Sequence, residues 1–227
     1  MKNLFKSILL TTALATTSFA GGGGDILRAT VMVENFEYQF SDEGVHSWDA
    51  YAYAGYDLNK IYIYTEGEKA EDEQSESENQ LVYSRAITPY WDVQIGVGYD
   101  KTPDADYRWG VLALSGLAPY FFETRAVLLV GEDAEVGIRF EAEYEALLTQ
   151  KLILSPSIGV TAYSKDIPEM ELGEGLSSLT LGLRLRYEFV RELAPYVGVE
   201  WSKNFGNTDD YHSLNETYAV IGLRFWF

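Results

Sequence analysis

Three glutamates at spacing two, Glu141, Glu143 and Glu145, are the residues of this chain best suited to meeting a cation. Side chains two apart on an extended strand face one way, so these carboxylates would form a row of oxygen donors. Glu188 and Glu200 fall on the same kind of face in later segments. Softer donors are few: His46, His212, and Met170 set between Glu169 and Glu171. Imidazole suits copper(II) and thioether suits copper(I). With no Cys in the chain, disulfides, thiolate metal sites, iron–sulfur clusters and cysteine nucleophiles are all excluded. Hydrolysis has little to draw on. Ser213 adjoins His212 and lies near Asn215, but no G-x-S-x-G motif fixes a nucleophile, and neighbours on a loop make no triad without geometry. The plainer readings are that the glutamate row is salt-bridged filling and that the histidines are ordinary loop residues.

The elements that must position these residues repeat with period two. Val136, Ile138, Phe140, Ala142 and Tyr144 interleave with Gly137, Arg139, Glu141, Glu143 and Glu145. The runs 181–189 and 91–99 do the same, with aliphatic and aromatic residues on one face and polar or small ones on the other, and 219–227 sets Ala219, Ile221, Leu223, Phe225 and Phe227 on one face with Gly222 and Arg224 on the other. Such alternation marks strands with one apolar face. Twelve segments follow from it, near 27–40, 46–57, 60–66, 78–88, 91–100, 107–116, 119–130, 135–148, 151–163, 177–190, 194–203 and 216–227. Short connections alternate with longer ones at 41–45, 67–77, 101–106, 131–134, 164–176 and 204–215. An even strand number with turns on one side and loops on the other is the layout of a transmembrane antiparallel β-barrel of the outer-membrane type.

A soluble β-sandwich would alternate too, but it should carry lysine on its polar faces. Here the lysines after residue 20 fall at strand ends or in connections, whereas Arg28, Arg85, Arg108, Arg125, Arg139, Arg184, Arg186 and Arg224 fall on strands. Arginine's planar fork suits enclosed pairing with carboxylates. The expected lumen balances those eight arginines against Glu34, Asp92, Glu123, Glu141, Glu143, Glu145, Glu188 and Glu200. Tyr90, Trp91, Tyr120, Phe121, Phe122, Trp201 and Trp226 lie beside turns, where an interfacial girdle belongs. Pro156 interrupts a strand and predicts a bulge. The acidic stretch 66–76 is expected as an exterior loop.

Composition sets the outer bounds. Aromatics at 15% of 227 residues rule out general disorder, and a net charge of −18 repels the phosphates of nucleic acid. Residues 1–20 read as a secretory signal peptide, with Lys2 and Lys6 ahead of a short apolar run and Ser18-Phe19-Ala20 as the cleavage pattern. Residues 21–26 are a Gly-rich lead-in and 27–227 the barrel, placed in the outer membrane of a Gram-negative cell with lipid around it.

Four strings carry a family resemblance: Gly116-Leu117-Ala118-Pro119-Tyr120-Phe121-Phe122-Glu123, Leu147-Leu148-Thr149-Gln150-Lys151-Leu152-Ile153-Leu154, Leu181-Gly182-Leu183-Arg184-Leu185-Arg186-Tyr187-Glu188, and Ala194-Pro195-Tyr196-Val197-Gly198-Val199-Glu200-Trp201. They resemble the copper resistance protein B family. The resemblance implies a role in copper tolerance, with copper ions bound or passed at the outer membrane; the lack of a nucleophile motif points to a non-enzyme, and a periplasmic copper protein is the expected partner where the ion must be delivered. Members of that family often carry a Met- and His-rich segment ahead of the barrel; here Gly21-Gly22-Gly23-Gly24 stands in that place. Copper would then meet Glu141, Glu143, Glu145, Glu188 and Glu200 in the lumen, or His46, His212 and Met170 in the loops. The alternative is a narrow general pore for small solutes.

Overall fold

The computed structural model describes residues 26–227 apart from 42, 43, 71–74 and 104. The signal peptide, most of the Gly-rich lead-in and the centre of the acidic stretch lie outside the described residues. Thirteen segments form one antiparallel sheet: β1 (Arg28–Phe40), β2 (Val45–Gly55), β3 (Asn59–Ala70), β4 (Glu76–Ala86), β5 (Trp91–Lys101), β6 (Asp106–Ala118), β7 (Phe122–Val130), β8 (Val136–Tyr144), β9 (Ala146–Leu147), β10 (Leu152–Tyr163), β11 (Gly175–Tyr187), β12 (Leu193–Asn204) and β13 (Asn215–Trp226). β8 and β9 are two pieces of one stave, both paired with β10. The staves therefore number twelve, as the alternation predicts. β1 pairs with β13, as in Tyr38↔Ile221, and closes the cylinder. Closure leaves no sheet edge without partners, which hydrocarbon demands of any spanning sheet.

The two faces sort as the period-two pattern requires. Ile61, Ile63, Ile95, Val97, Leu181, Leu183 and Leu185 point outward and are exposed, the apolar belt that meets lipid. Between them Gln80, Ser84, Gln94, Arg139 and Arg186 are buried inside. Tyr90, Tyr120 and Phe121 stand out from the short turns, at 64%, 83% and 74% exposure. Among the described residues no helix is long and apolar enough to cross a membrane.

Three expectations need correction. Pro156 makes no bulge: its register with β11 is unbroken through Pro156↔Leu183. Its missing N–H coincides instead with a gap on the other side, where pairing with β8 stops at Ser157↔Glu143 and resumes with β9 at Leu154↔Ala146. Glu145 sits in that gap. A bulge does occur in β1, between Val33 and Asn35, and it turns both Glu34 and Asn35 inward onto the cavity wall. The described part of the acidic stretch is largely strand rather than loop, since Glu66 pairs with Glu78 and Glu68 with Glu76.

The interior, finally, is not uniformly polar. Val82, Trp109, Val111, Ala113, Val127, Leu129 and Tyr163 form an apolar cluster inside one side of the barrel, joined from above by Ile167 and Met170 of the 164–174 connection. That connection is pinned to a short helix, α1 (Gly206–Tyr211). Thr208 Oγ1 accepts from the Gly173 N–H at 2.8 Å and lies 2.9 Å from Ser177 Oγ. The backbones approach so closely that a Cβ on Gly173 would stand 2.3 Å from the Thr208 nitrogen. Asp166 Oδ1 accepts from the Glu174 N–H at 2.7 Å and from Asn207 Nδ2 at 2.9 Å. The Asn207 amide, and then the Glu174 N–H, hold this carboxyl below its usual range.

Candidate functional site

With one side filled by the apolar cluster, the remaining lumen is a cavity of about 810 Å³. Thirteen carboxylates and six cationic side chains line it among the described residues. The balanced lumen is thus overturned in favour of an acid excess. Five of the eight strand arginines line the cavity: Arg125, Arg139, Arg184, Arg186 and Arg224. Arg28 instead meets Asp57 at 3.3 Å at the turn end, and Arg85 and Arg108 are exposed on the outward parity. Glu37, Asp49, Glu66, Glu68, Glu76, Glu78 and Asp100 were missed as lining residues. For Glu37 the cause is the β1 bulge, which reverses parity after Glu34. For Glu66 the cause was assignment to a loop.

The arginines gather the acids into knots. Arg184 donates to Glu37 from Nη2 at 2.8 Å and from Nε at 3.1 Å, and to Glu200 at 2.7 Å. Tyr196 and Tyr218 add hydroxyl bonds to Glu37 and Glu200 at 2.9 and 2.7 Å. Nearer the short turns, Arg186 and Arg224 both hold Glu145 Oε1, at 2.6 and 2.7 Å. Toward the loops, Arg139 pairs with Glu78 and with Asp100, the latter at 2.9 Å, while Trp109 Nε1 donates to Asp100 at 2.8 Å. Arg125 lies 4.1 Å over the Tyr64 ring and donates to Gln80 at 2.5 Å. A wall of tyrosines from β2 and β3 adjoins it, with Tyr62 and Tyr64 stacked at 5.5 Å.

Against this arrangement the expected ligands divide. Glu141 and Glu143 face the cavity, Glu143 with its nearest guanidinium, Arg224, at 4.0 Å. Glu145 and Glu200 are held by arginine, and Glu188 stands 3.8 Å from Arg186. Met170 lines the cavity while packing in the apolar cluster. His46 lies exposed at the loop end of β2, its ring 5.0 Å from Tyr38, and His212 is exposed just past α1. The structure therefore does not bring the histidines to the glutamate row. Among the described residues no group of three or more His, Asp or Glu side chains is disposed to hold a metal ion directly. Of Ser213, His212 and Asn215, the serine Oγ donates to Asp209 and the Asn215 side chain accepts from Trp201.

Comparison with known proteins adds two findings. A family model described as "Copper resistance protein B precursor (CopB)" matches residues 27–227. "Copper resistance protein B" of Escherichia coli is 36% identical over 203 residues, covering 87% of this chain and 69% of its own. "Copper resistance protein B homolog" of Pseudomonas syringae pv. tomato is 34% identical over 207 residues, covering 88% and 70%. Among solved structures, the KdgM porin superposes with a TM-score of 0.55 at 10% identity, over 88% of this chain and 99% of its own. The NanC porin gives 0.56 at 11% identity, over 87% and 99%. At such identities the porins speak for the fold alone.

Proposed function

The chain belongs to the copper resistance protein B family, and from that premise we propose that it acts without enzymatic chemistry, binding copper ions or passing them along its acid-lined lumen. A role in copper resistance and a place in the outer membrane follow from the family and the barrel. The observation that supports the finer reading is the excess of carboxylates on the cavity wall. Opposite charges attract with an energy that grows as the surrounding dielectric falls, so a narrow acidic lumen concentrates cations. Glu141 and Glu143 are the predicted carboxylates that face that space with no guanidinium nearer than 4.0 Å among the described residues; Glu145, Glu188 and Glu200 serve chiefly to fix the arginines. A periplasmic copper protein is the proposed partner at the turn end. The porin-like fold favours a second reading, a narrow pore for small solutes with no preference for metal.

Complementation separates the two. Cells lacking the gene, given Glu141→Gln/Glu143→Gln, should grow on copper no better than cells given an empty vector, while the native gene restores growth. Equal rescue by both genes would remove the glutamates from the function and leave the general pore.

A further inference from the structure

The connection between β10 and β11 does not stay outside the barrel. Of residues 164–174, Ile167 is 2% and Met170 8% exposed, in one cluster with Trp109, Leu129 and Tyr163, and Met170 alone lines the cavity. Connections ordinarily run over the surface, because water there satisfies their backbone. This one meets its own polar groups instead. Ile167 and Leu172 exchange backbone hydrogen bonds at 2.7 and 3.2 Å, and the Met170 N–H donates to the Ile167 carbonyl at 3.0 Å. A segment closed on itself in this way can lie against an apolar wall.

Two feet hold it there. At the first, the Ser164 N–H donates to the Val136 carbonyl at 2.8 Å, Ser164 Oγ accepts from the Val136 N–H at 2.9 Å, and Lys165 Nζ donates to the Asp133 carbonyl at 2.9 Å. At the second stand the bonds of Thr208 with Gly173 and Ser177 and of Asp166 with Glu174 and Asn207. A strap tied at both ends to different parts of the barrel is a standing wall rather than a swinging cover.

The cavity runs along the barrel: its wall includes Glu68, Glu76 and Thr102 toward the loops and Gly116, Leu117 and Glu123 toward the turns. Barrels of roughly eight strands have interiors just filled by side chains, and those of roughly sixteen leave an aqueous channel. With twelve staves, β8 and β9 forming one, the width that remains is set by what folds inside. We propose that the 164–174 strap is the constriction that sets the size of solute this lumen admits, and that Met170 is its size-determining residue. The inference rests on the lumen serving as a path, as in the proposed function, and adds what limits that path.

The test is conductance of the full barrel in planar bilayers, in potassium chloride and in tetraethylammonium chloride at equal concentration. The bulky cation reports width, and the ratio of the two conductances removes differences in the amount of protein inserted. Met170→Ala should raise the tetraethylammonium-to-potassium ratio several-fold, and Met170→Trp should lower it. Asp166→Ala/Thr208→Val, which unties the second foot, should raise it at least as far as Met170→Ala does. Leu181→Ala, on the lipid face, should keep the native ratio. The residue-170 variants keep every tie of the strap, so they decide the matter even where the untied barrel fails to fold. A ratio that does not move with residue 170 would overturn the proposal and leave the path standing. Barrels that pass neither ion, variants included, would overturn the path and the proposal with it.

Discussion

Arg184 Nη2 lies 2.8 Å from Glu37 Oε1, although one residue is on β11, the other on β1, and 147 positions separate them. The bond bridges the lumen past β12 and β13, so it forms only once the cylinder has closed. Glu37 is nearly out of water, with its side chain 2% exposed. Arg184→Met leaves that carboxylate buried without its guanidinium and is expected to cost about 3 kcal/mol. Replacing both, as Arg184→Met/Glu37→Leu, should cost less than the single change. Urea midpoints of the refolded barrels check this order.

The outward face is tested by Leu183→Arg. Leu183 sits in the middle of β11 and faces lipid. A cation there should cost about 2–4 kcal/mol in a bilayer, measured as the folded fraction in vesicles over a denaturant series. Tolerance of this arginine would put Leu183 on the wrong face.

The apolar cluster within the barrel predicts a cavity effect. Leu129 is 1% exposed and packs with Trp109 and Val127 in the cluster. Leu129→Ala should cost about 3 kcal/mol, whereas Leu181→Ala, on the lipid face, should cost clearly less. Unfolding midpoints of the two variants in the same detergent make the comparison.

How far the sequence carries is plain from particular residues. Period two places Leu181, Leu183 and Leu185 outside and Arg184 and Arg186 inside, because each choice is forced by a single local contrast. It says nothing decisive for β6, where Trp109, Val111 and Ala113 turn inward and Leu112 and Leu114 outward; both faces are apolar there, so the pattern is blind to the cluster. Glu34 and Glu37 differ in parity, and only the bulge in β1 lets both reach the lumen. That Asp49, Glu66, Glu78 and Asp100 stand side by side across β2 to β5 follows from the register between strands, which depends on pairing across the sheet and not on any one segment. His46 and His212 looked like ligands by residue type alone; their positions on the exposed loop side follow from where the strands end.

A pH dependence follows from Asp166. The amide of Asn207 and the N–H of Glu174 stabilise its charged form and hold its pKa low. A carboxylate depressed in the folded state contributes stability that is present above the unfolded value and lost as pH falls through the folded one. Hydrogen exchange at Glu174, corrected for the intrinsic rate at each pH, should therefore show steady protection through the usual carboxylate range and loss only below it. Asp166→Ala should lack protection throughout.

The lumen's part in copper handling is tested most directly by copper accumulation in washed proteoliposomes, with metal inside the vesicles and metal held by the protein read from one sample. Native barrels should accumulate copper several-fold over empty vesicles, and Glu141→Gln/Glu143→Gln barrels should fall back toward the empty value. Native barrels that accumulate no more copper than protein-free vesicles would contradict both binding and passage.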